Sequence, residues 1–529
     1  MWHRLRRIWS TIYYLQFKQI RYQLIYRLQK MIFGPPRIKS DLIQVSTRQT
    51  IQLVSIPSPS SYLSDNTFTF LNIKHQFNDK IDWNYSNYGK LWTYNLNYFD
   101  FLHQPDINKE VGLVLIKDFL HNVSHIKTGA EPYPLSLRII NWIKFINNHQ
   151  INEASINSAL YYQTRLLEKN LEYHLMGNHL LENAFALVWG SWYLKDIKCY
   201  RKSTNLLIQE LNEQILPDGG HFELSPMYHQ LILLKLLDTI NLLKKDQDSD
   251  SELIGVLTKK AGMMLNWLNQ IKYRNDSLPN LNDATYGITP PTNQLLNYAA
   301  QINIPCYSKP LRESGYRRLN CGPWELTADI GHIGPDYIPG HAHSDTLSFD
   351  LQLGELPFIV DVGISTYDKN ARRQWERSTA AHNTVQIDNK DQSEIWGGFR
   401  VGRRARPIHI IEKANCLQAS HDGYKKWNVY PLRKWSLSAR DLVISDRIDG
   451  NNYKVATARY YIHPSHQVSL RDNTVSTPLA TLTFKGAQSI KIESYEYPLG
   501  YNLVQPGNCI TVTFYSSLET WISRSNYSF

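Results

Sequence analysis

The sequence predicts a multidomain α+β protein, an incomplete α/α toroid followed by an antiparallel β-sandwich. Three observations predict it. At 529 residues the chain is long for one core, since a domain usually takes about 100–250 residues. From about residue 105 to 305, long segments with a helical apolar period alternate with short polar breaks, a rhythm that suggests stacked helix pairs. Beyond about residue 315 the apolar runs shorten and alternate as strands do. The expected division is a basic amphipathic segment over 1–50, a helical toroid over 51–310 and a sandwich over 311–529.

Residues 1–30 carry seven Lys or Arg, and no acid precedes Asp41. Ile8, Ile12, Leu15, Ile20 and Leu24 recur at helical spacing among them. Two readings stay open: a helix lying on an anionic membrane face, and a solvated helix packed on the body of the protein. The segment lacks the uninterrupted apolar core and small-residue cleavage site of a secretory signal. No run reaches the ~20 apolar residues needed to span a bilayer. Pro35-Pro36 ends the segment.

An irregular aromatic stretch runs from about 50 to 100 and ends at Trp92–Asp100. Helices are then expected over Val111–Ser124, Leu135–Asn148, Ile156–Asn170, His179–Leu194, Lys202–Gln214, Tyr228–Lys245 and Leu253–Ile271. Leu231, Leu234, Leu237 and Ile240 mark a core face of one of them. Pro305 and Pro310 place the boundary near 300–315. Strands follow, among them Tyr316–Leu319, Trp324–Asp329, Leu347–Leu353, Leu356–Val362, Asn383–Ile387, Ala456–Ile462, Ala480–Phe484 and Ile510–Tyr515.

Composition narrows the partners. An apolar fraction of 42% supports a globular interior, and 20% charged residues do not suggest disorder. A net charge of +10 suits an acidic polymer, whether a uronic-acid polysaccharide, a nucleic acid or a membrane surface. The 33 Tyr and 14 Trp offer stacking platforms for sugars or single-stranded bases. No nucleic-acid motif is present, so a nucleic-acid partner is not expected. Cys199, Cys306, Cys321, Cys416 and Cys509 are far apart and form no CxxC pair, which argues against a disulfide framework and an all-Cys metal site.

Four stretches carry candidate chemistry. In Met176–Asn183, Asn178 sits at a helix start, with His179 and Glu182 one turn apart. In Pro217–His229, Asp218-Gly219-Gly220 is a turn, and Ser225-Pro226 opens a helix whose first turn presents Tyr228. Arg138, Asn141 and Trp142, with Arg377 further on, are candidates for lining a sugar cleft, or else structural hydrogen bonds and solvated charge. The densest stretch is Gly340–Arg404. On a strand His341 and His343 would point the same way. Antiparallel neighbours would bring His343, Asp361 and His382 together, and two imidazoles with a carboxylate form a three-ligand zinc set. The alternative is three satisfied polar residues at strand ends.

The series His341-Ala342-His343-Ser344-Asp345, Asp361-Val362-Gly363, Arg377-Ser378-Thr379-Ala380-Ala381-His382-Asn383-Thr384, Gln392-Ser393-Glu394 and Phe399-Arg400-Val401-Gly402-Arg403 resembles the C-terminal domain of the heparinase II/III family of polysaccharide lyases. The match is dense over about 65 residues and thins through His421–Tyr424 and Ile444–Arg447. The resemblance implies a toroid and a β-sandwich sharing one active cleft. It implies that Tyr228, in Glu223-Leu224-Ser225-Pro226-Met227-Tyr228, and His341 share the roles of base and acid, with either order open. It puts Asn178 first, with His179 and Glu182 behind it, against the substrate's carboxyl group. It also implies one structural zinc at His343, Asp361 and His382.

The expected activity is β-elimination on a uronic-acid-containing anionic polysaccharide, in capsule or exopolysaccharide metabolism. Two alternatives compete: a hydrolase using Glu182 and Glu223 as paired carboxylates, and a silent glycan-binding protein of the same fold. The resemblance implies the cell envelope or periplasm. The missing export signal leaves a cytoplasmic or membrane-peripheral site open.

Overall fold

The structure, a computed structural model, describes residues 2–525, with side chains from Arg6 onward. Met1 of the basic segment and residues 526–529 of the strand-rich half lie outside the described residues.

Two helices, α1 (Trp2–Ile12) and α2 (Phe17–Phe33), come first. An extended stretch and a small three-stranded sheet (Tyr62–Ser64, Thr67–Phe70, Ile73–Gln76) follow. Helices then run through Lys90–Tyr98, Lys109–Asn122, Pro132–His149, Ala154–Lys169, Gly177–Tyr193, Ile197–Gln214, Pro226–Lys245, Ser251–Ile271 and Thr292–Gln301.

The hub of the helical half is Gly177–Tyr193. It packs against Pro132–His149, Ala154–Lys169, Ile197–Gln214 and Pro226–Lys245. Every side chain in it except His179 is buried. A helix surrounded this way is buried all round, and here only His179 in its first turn keeps some exposure.

The neighbouring helix corrects the expected core face. Leu231 and Leu234 are only partly buried, whereas Ile232, Leu233, Leu236, Leu237 and Ile240 are fully buried. Steps of three residues turn ~300°, so a 231, 234, 237, 240 series drifts off any one face.

Beyond Tyr316 the chain is an antiparallel sandwich. One layer holds Pro407–Lys413, Cys416–His421, Tyr430–Leu437 and Asp441–Asp449. The other holds Tyr316–Cys321, Trp324–Asp329, Phe349–Leu353, Leu356–Ile359 and Ala456–Ile462. Two long strands, Ala480–Gly500 and Leu503–Arg524, belong to both. Leu503–Arg524 pairs with Ala456–Ile462 up to Phe514 and with Asp441–Asp449 from Ser517. Its partner bulges where it crosses, between Lys485 and Ala487. Gly486 sits there at φ +91°, with the Ser517 carbonyl 2.5 Å from where a Cβ would lie. A bulge of this kind lets a strand pair change layers. Tyr430–Leu437 alternates strictly between buried and part-buried, one face to the core and one to water. Phe349, Trp435 and Tyr460 meet between the layers.

One expectation about strands fails at the site. His341 ends a 3-10 turn, Pro339–His341, and His343 lies in irregular backbone, so neither is on a strand. Arg377 explains how that loop stays ordered. Its guanidinium donates to the Ala342 carbonyl at 2.8 and 3.1 Å and to the Pro339 carbonyl at 3.4 Å. A buried cation thus replaces the missing ladder partners.

Candidate functional site

The site forms where loops of the sandwich meet the first turns of the hub helix and of Pro226–Lys245. Ser225 caps Pro226–Lys245, its hydroxyl accepting from the Tyr228 N–H at 3.3 Å and donating to the Asp283 carbonyl at 2.7 Å. With Pro226 at the first helical position, the cap fixes where Tyr228 leaves the helix. Asp283 in turn donates its N–H to the His341 carbonyl at 3.1 Å. One short relay therefore positions both aromatic groups.

The Tyr228 and His341 rings stack, with centroids 4.0 Å apart and planes 13° from parallel. The Tyr228 hydroxyl is 2.9 Å from that of Tyr367. Burial pushes the Tyr228 phenol well above its ordinary range, and the charges of Asp283 and Glu223 push the same way. Tyr228 is therefore a phenol, not a phenolate, at rest.

Behind His341 stands Glu223, one carboxylate oxygen 2.5 Å from the imidazole Nδ1. The contact is close but off the line of a hydrogen bond, since Nδ1 has no aligned partner. Burial alone would raise Glu223. The charge of His341, and the Asn178 N–H at 2.8 Å, outweigh it and hold the carboxyl at about 2. An ionised Glu223 facing Nδ1 leaves Nε2 as the nitrogen without a carboxylate.

Gly177 permits this approach. It sits at φ +57°, and a Cβ there would lie 2.6 Å from Glu223 Oε1 and 2.7 Å from Ile338 Cδ1.

The three candidates for holding a substrate carboxyl divide. The Asn178 amide is spent on Glu223, donating to both its oxygens at 3.1 and 3.0 Å. His179 is partly exposed and lies 3.1 Å from Glu172 Oε1. Burial would lower its pKa, but Glu172 reverses that and raises it. Glu182 is buried, and its Oε2 has no partner. Burial raises its pKa to about 7 against the opposing charge of Lys235.

The four candidates for sugar contact are corrected. Arg138 is fully buried and donates to Gln163 Oε1 at 2.7 Å and to the carbonyls of Gly129 and Asn97 at 2.9 and 3.1 Å. Asn141 is buried and donates to the Tyr98 carbonyl at 2.9 Å and to Asp100. Trp142 is buried edge-on against Phe99 and Phe119. Arg377 is buried on the loop carbonyls described above. Each is spent on contacts within the protein. Of the four, only Arg377 supports the His341 loop.

The expected metal residues come together only in part. His382 Nδ1 lies 2.8 Å from Asp361 Oδ2, and Asp361 Oδ1 accepts the Gly363 N–H at 3.1 Å. His343 Nε2 lies 2.9 Å from Asp283 Oδ1. Among the described residues no group of three or more His, Cys, Asp or Glu is arranged to hold a metal ion. Yet His343 Nδ1 and His382 Nε2 are buried without partners, and the two rings are 5.2 Å apart between centroids. With Zn–N bonds of about 2.0–2.1 Å, two imidazoles at this separation can reach one ion. Each ring also has its other nitrogen on a carboxylate, the arrangement that orients metal-binding histidines. The imidazoles fit a zinc ion. Asp361 fits better as the support of His382 than as a third ligand.

Sequence reasoning missed three residues. Asp283 receives both arms of the Arg373 guanidinium and also faces His343. Arg373 lies 5.0 Å over the Tyr367 ring. Tyr367 bonds Tyr228 and lies 6.2 Å from the His341 ring, nearly parallel to it. No local pattern marks them, because Asp283 and Arg373 are 90 residues apart.

Comparison with known proteins gives a consistent answer. The family models described as "Heparinase II/III N-terminus" and "Heparinase II/III-like, C-terminal" match residues 135–302 and 304–519. The chain is 27% identical over 254 residues to a heparin-sulfate lyase of Bacteroides stercoris, covering 42% of this chain and 37% of that protein. It is 25% identical over 280 residues to a heparin-sulfate lyase of Pedobacter heparinus, covering 47% of this chain and 41% of that protein. It thus spans about two fifths of the length of these curated relatives. Among solved structures, the fold is similar to a heparinase III, with TM-score 0.65 and 16% identity over 86% of this chain and 81% of that one. It is also similar to a heparan sulfate lyase from Pedobacter heparinus, with TM-score 0.56 and 15% identity over 88% and 82%. These likenesses show the fold: a helical toroid followed by a β-sandwich.

Proposed function

The chain belongs to the heparinase II/III family, and from that premise we propose that it is a lyase cutting a uronic-acid-containing anionic polysaccharide by β-elimination. The observation that carries this reading is the stack of Tyr228 on His341 with ionised Glu223 behind it. A phenol from the helical half and an imidazole from the strand half are brought face to face.

In the proposed reaction the C5 proton of the uronic acid passes to the His341 Nε2. The C5–H electron pair becomes the C4–C5 double bond, the C4–O bond breaks, and the departing oxygen takes the Tyr228 proton. The assignment of roles follows from the resting states. A phenol held well above its usual range still carries its proton at rest, so it can protonate the departing oxygen but cannot start the reaction as a base. Glu223 steadies the imidazolium that forms.

The C5 proton is weakly acidic beside a charged carboxylate, so a donor must hold that carboxyl as enolate character develops. Since the Asn178 amide is engaged, His179 and the protonated form of Glu182 take this role. Zinc, where bound, would be held by His343 and His382 and would tie the His341 loop to the strand that follows His382. The acidic substrate also suits a chain of net charge +10.

The test is direct. Purified protein mixed with a panel of uronic-acid polymers should generate near-ultraviolet absorbance from the new double bond. Products with new reducing ends and no absorbance would replace this reading with hydrolysis. Binding without any product would replace it with a silent glycan-binding protein.

A further inference from the structure

The first two helices present an apolar surface turned away from the protein. Helix α2 is anchored by its polar and aromatic side. Gln19 donates to the Leu175 and Tyr337 carbonyls at 3.3 and 3.2 Å, Tyr22 packs on Tyr173 with centroids 4.6 Å apart, and the Tyr26 hydroxyl bonds the Leu171 carbonyl. Its opposite side carries Phe17, Ile20, Leu24, Leu28 and Met31, which are 36–78% exposed. Their spacing of three and four residues makes one continuous stripe over ~21 Å of helix.

This polarity is the reverse of a normal surface helix, whose apolar stripe packs on the core. Trp9 in α1 and Tyr13 just after it are exposed aromatic rings as well. Helix α1 is itself fixed, by Arg7 on Glu394 at 3.2 Å and by Trp396 donating to Thr11 at 3.1 Å. A contiguous exposed patch on an anchored element is a docking surface.

Charge identifies the occupant. The segment has seven Lys or Arg within residues 1–30 and no acid before Asp41. At 100° per residue, exposed Arg21 and Arg27 each lie ~60° from the centre of the stripe, one on either side. Apolar side chains flanked by long cations match a bilayer interface, with the stripe among the acyl chains and the guanidinium groups at the phosphates. No helix among the described residues is long and apolar enough to cross a membrane. We propose that α2, with the exposed aromatics of α1, seats the protein flat on an anionic lipid surface.

Co-sedimentation of the full chain with phosphatidylcholine vesicles, with and without a quarter phosphatidylglycerol, tests this. The protein should pellet with the anionic vesicles and be released by salt. Arg21→Ala and Arg27→Ala should each weaken binding about five-fold. The double variant Leu24→Asp, Leu28→Asp should abolish it while keeping the unfolding midpoint and any activity on soluble polymer. Protein that stays in the supernatant with both vesicles overturns the proposal. So does equal binding to uncharged vesicles, or a dimer that the aspartate variant converts to monomer with no vesicle binding.

Discussion

The ring of Tyr228 lies flat on that of His341, 4.0 Å away, although 113 residues separate them in the chain. Neither ring holds this position alone. Ser225 and Asp283 place Tyr228 and the His341 backbone, and Tyr367 closes on the phenol.

If Tyr228 supplies the proton to the leaving oxygen, Tyr228→Phe removes the reaction and little else. The ring, its stack and the helix cap all survive. Elimination measured by absorbance should fall about 10²–10⁴-fold, the usual worth of a positioned acid. The unfolding free energy should drop only about 1 kcal/mol for the lost Tyr367 hydrogen bond. Unchanged turnover would remove Tyr228 from the chemistry.

Glu223 leads to a pH prediction. Its folded pKa, about 2, is depressed below the ordinary value of ~4.3. Its contribution to stability is therefore present above pH ~4.3 and lost as pH falls toward 2. Glu223→Gln should remove that part of the acid limb of a stability–pH curve. It should also lower turnover by one to two orders of magnitude, as loss of an orienting carboxylate does. An acid limb identical to that of the wild type would show that the carboxylate is not ionised in the folded state.

Arg373 and Asp283 form a fully buried pair beneath the site, one arm at 2.7 Å. Removing one partner leaves an unpaired buried charge, so Arg373→Ala should destabilise by about 3–5 kcal/mol in denaturant titration. A loss within the range of a surface substitution would mean that water reaches Asp283.

Gly177→Ala tests the crowding behind Glu223. The new methyl would sit 2.6 Å from Oε1 at a left-handed backbone position. Backbone strain alone costs about 1–2 kcal/mol, and Glu223 must shift as well. Turnover should fall along with the melting temperature. A fully active, fully stable variant would contradict the close approach.

The helical half was legible because amphipathic period survives even in a buried hub. The expected helices at 135–148 and 253–271 fall inside Pro132–His149 and Ser251–Ile271. The core face of Pro226–Lys245 was misread, since a helix packed on several sides shows no single stripe. Within the site, Tyr228 and His341 stood in recognisable runs. Asp283, Arg373 and Tyr367 did not, because a buried ion pair and an aromatic contact are properties of tertiary packing. Arg138 and Arg377 misled for the converse reason. A sequence shows a charge but not whether water or a carbonyl answers it.

Glu182 separates elimination from hydrolysis. Burial raises its carboxyl to about 7, so the folded state holds a proton that the unfolded chain has already released above pH ~4.3. Stability therefore falls as pH rises from ~4.3 to about 7 and is flat beyond. Glu182→Gln, which mimics the protonated form, should abolish that slope. In an elimination the neutral carboxyl only donates to the substrate's carboxylate. The glutamine variant should then keep measurable turnover and lose the decline in activity above about pH 7. In a hydrolase Glu182 would itself have to transfer a proton or attack, and glutamine can do neither. A pH–rate profile of Glu182→Gln that is active and flat on its alkaline side supports the lyase. A variant that is folded, binds polymer and is dead at every pH would move the assignment to the paired carboxylates.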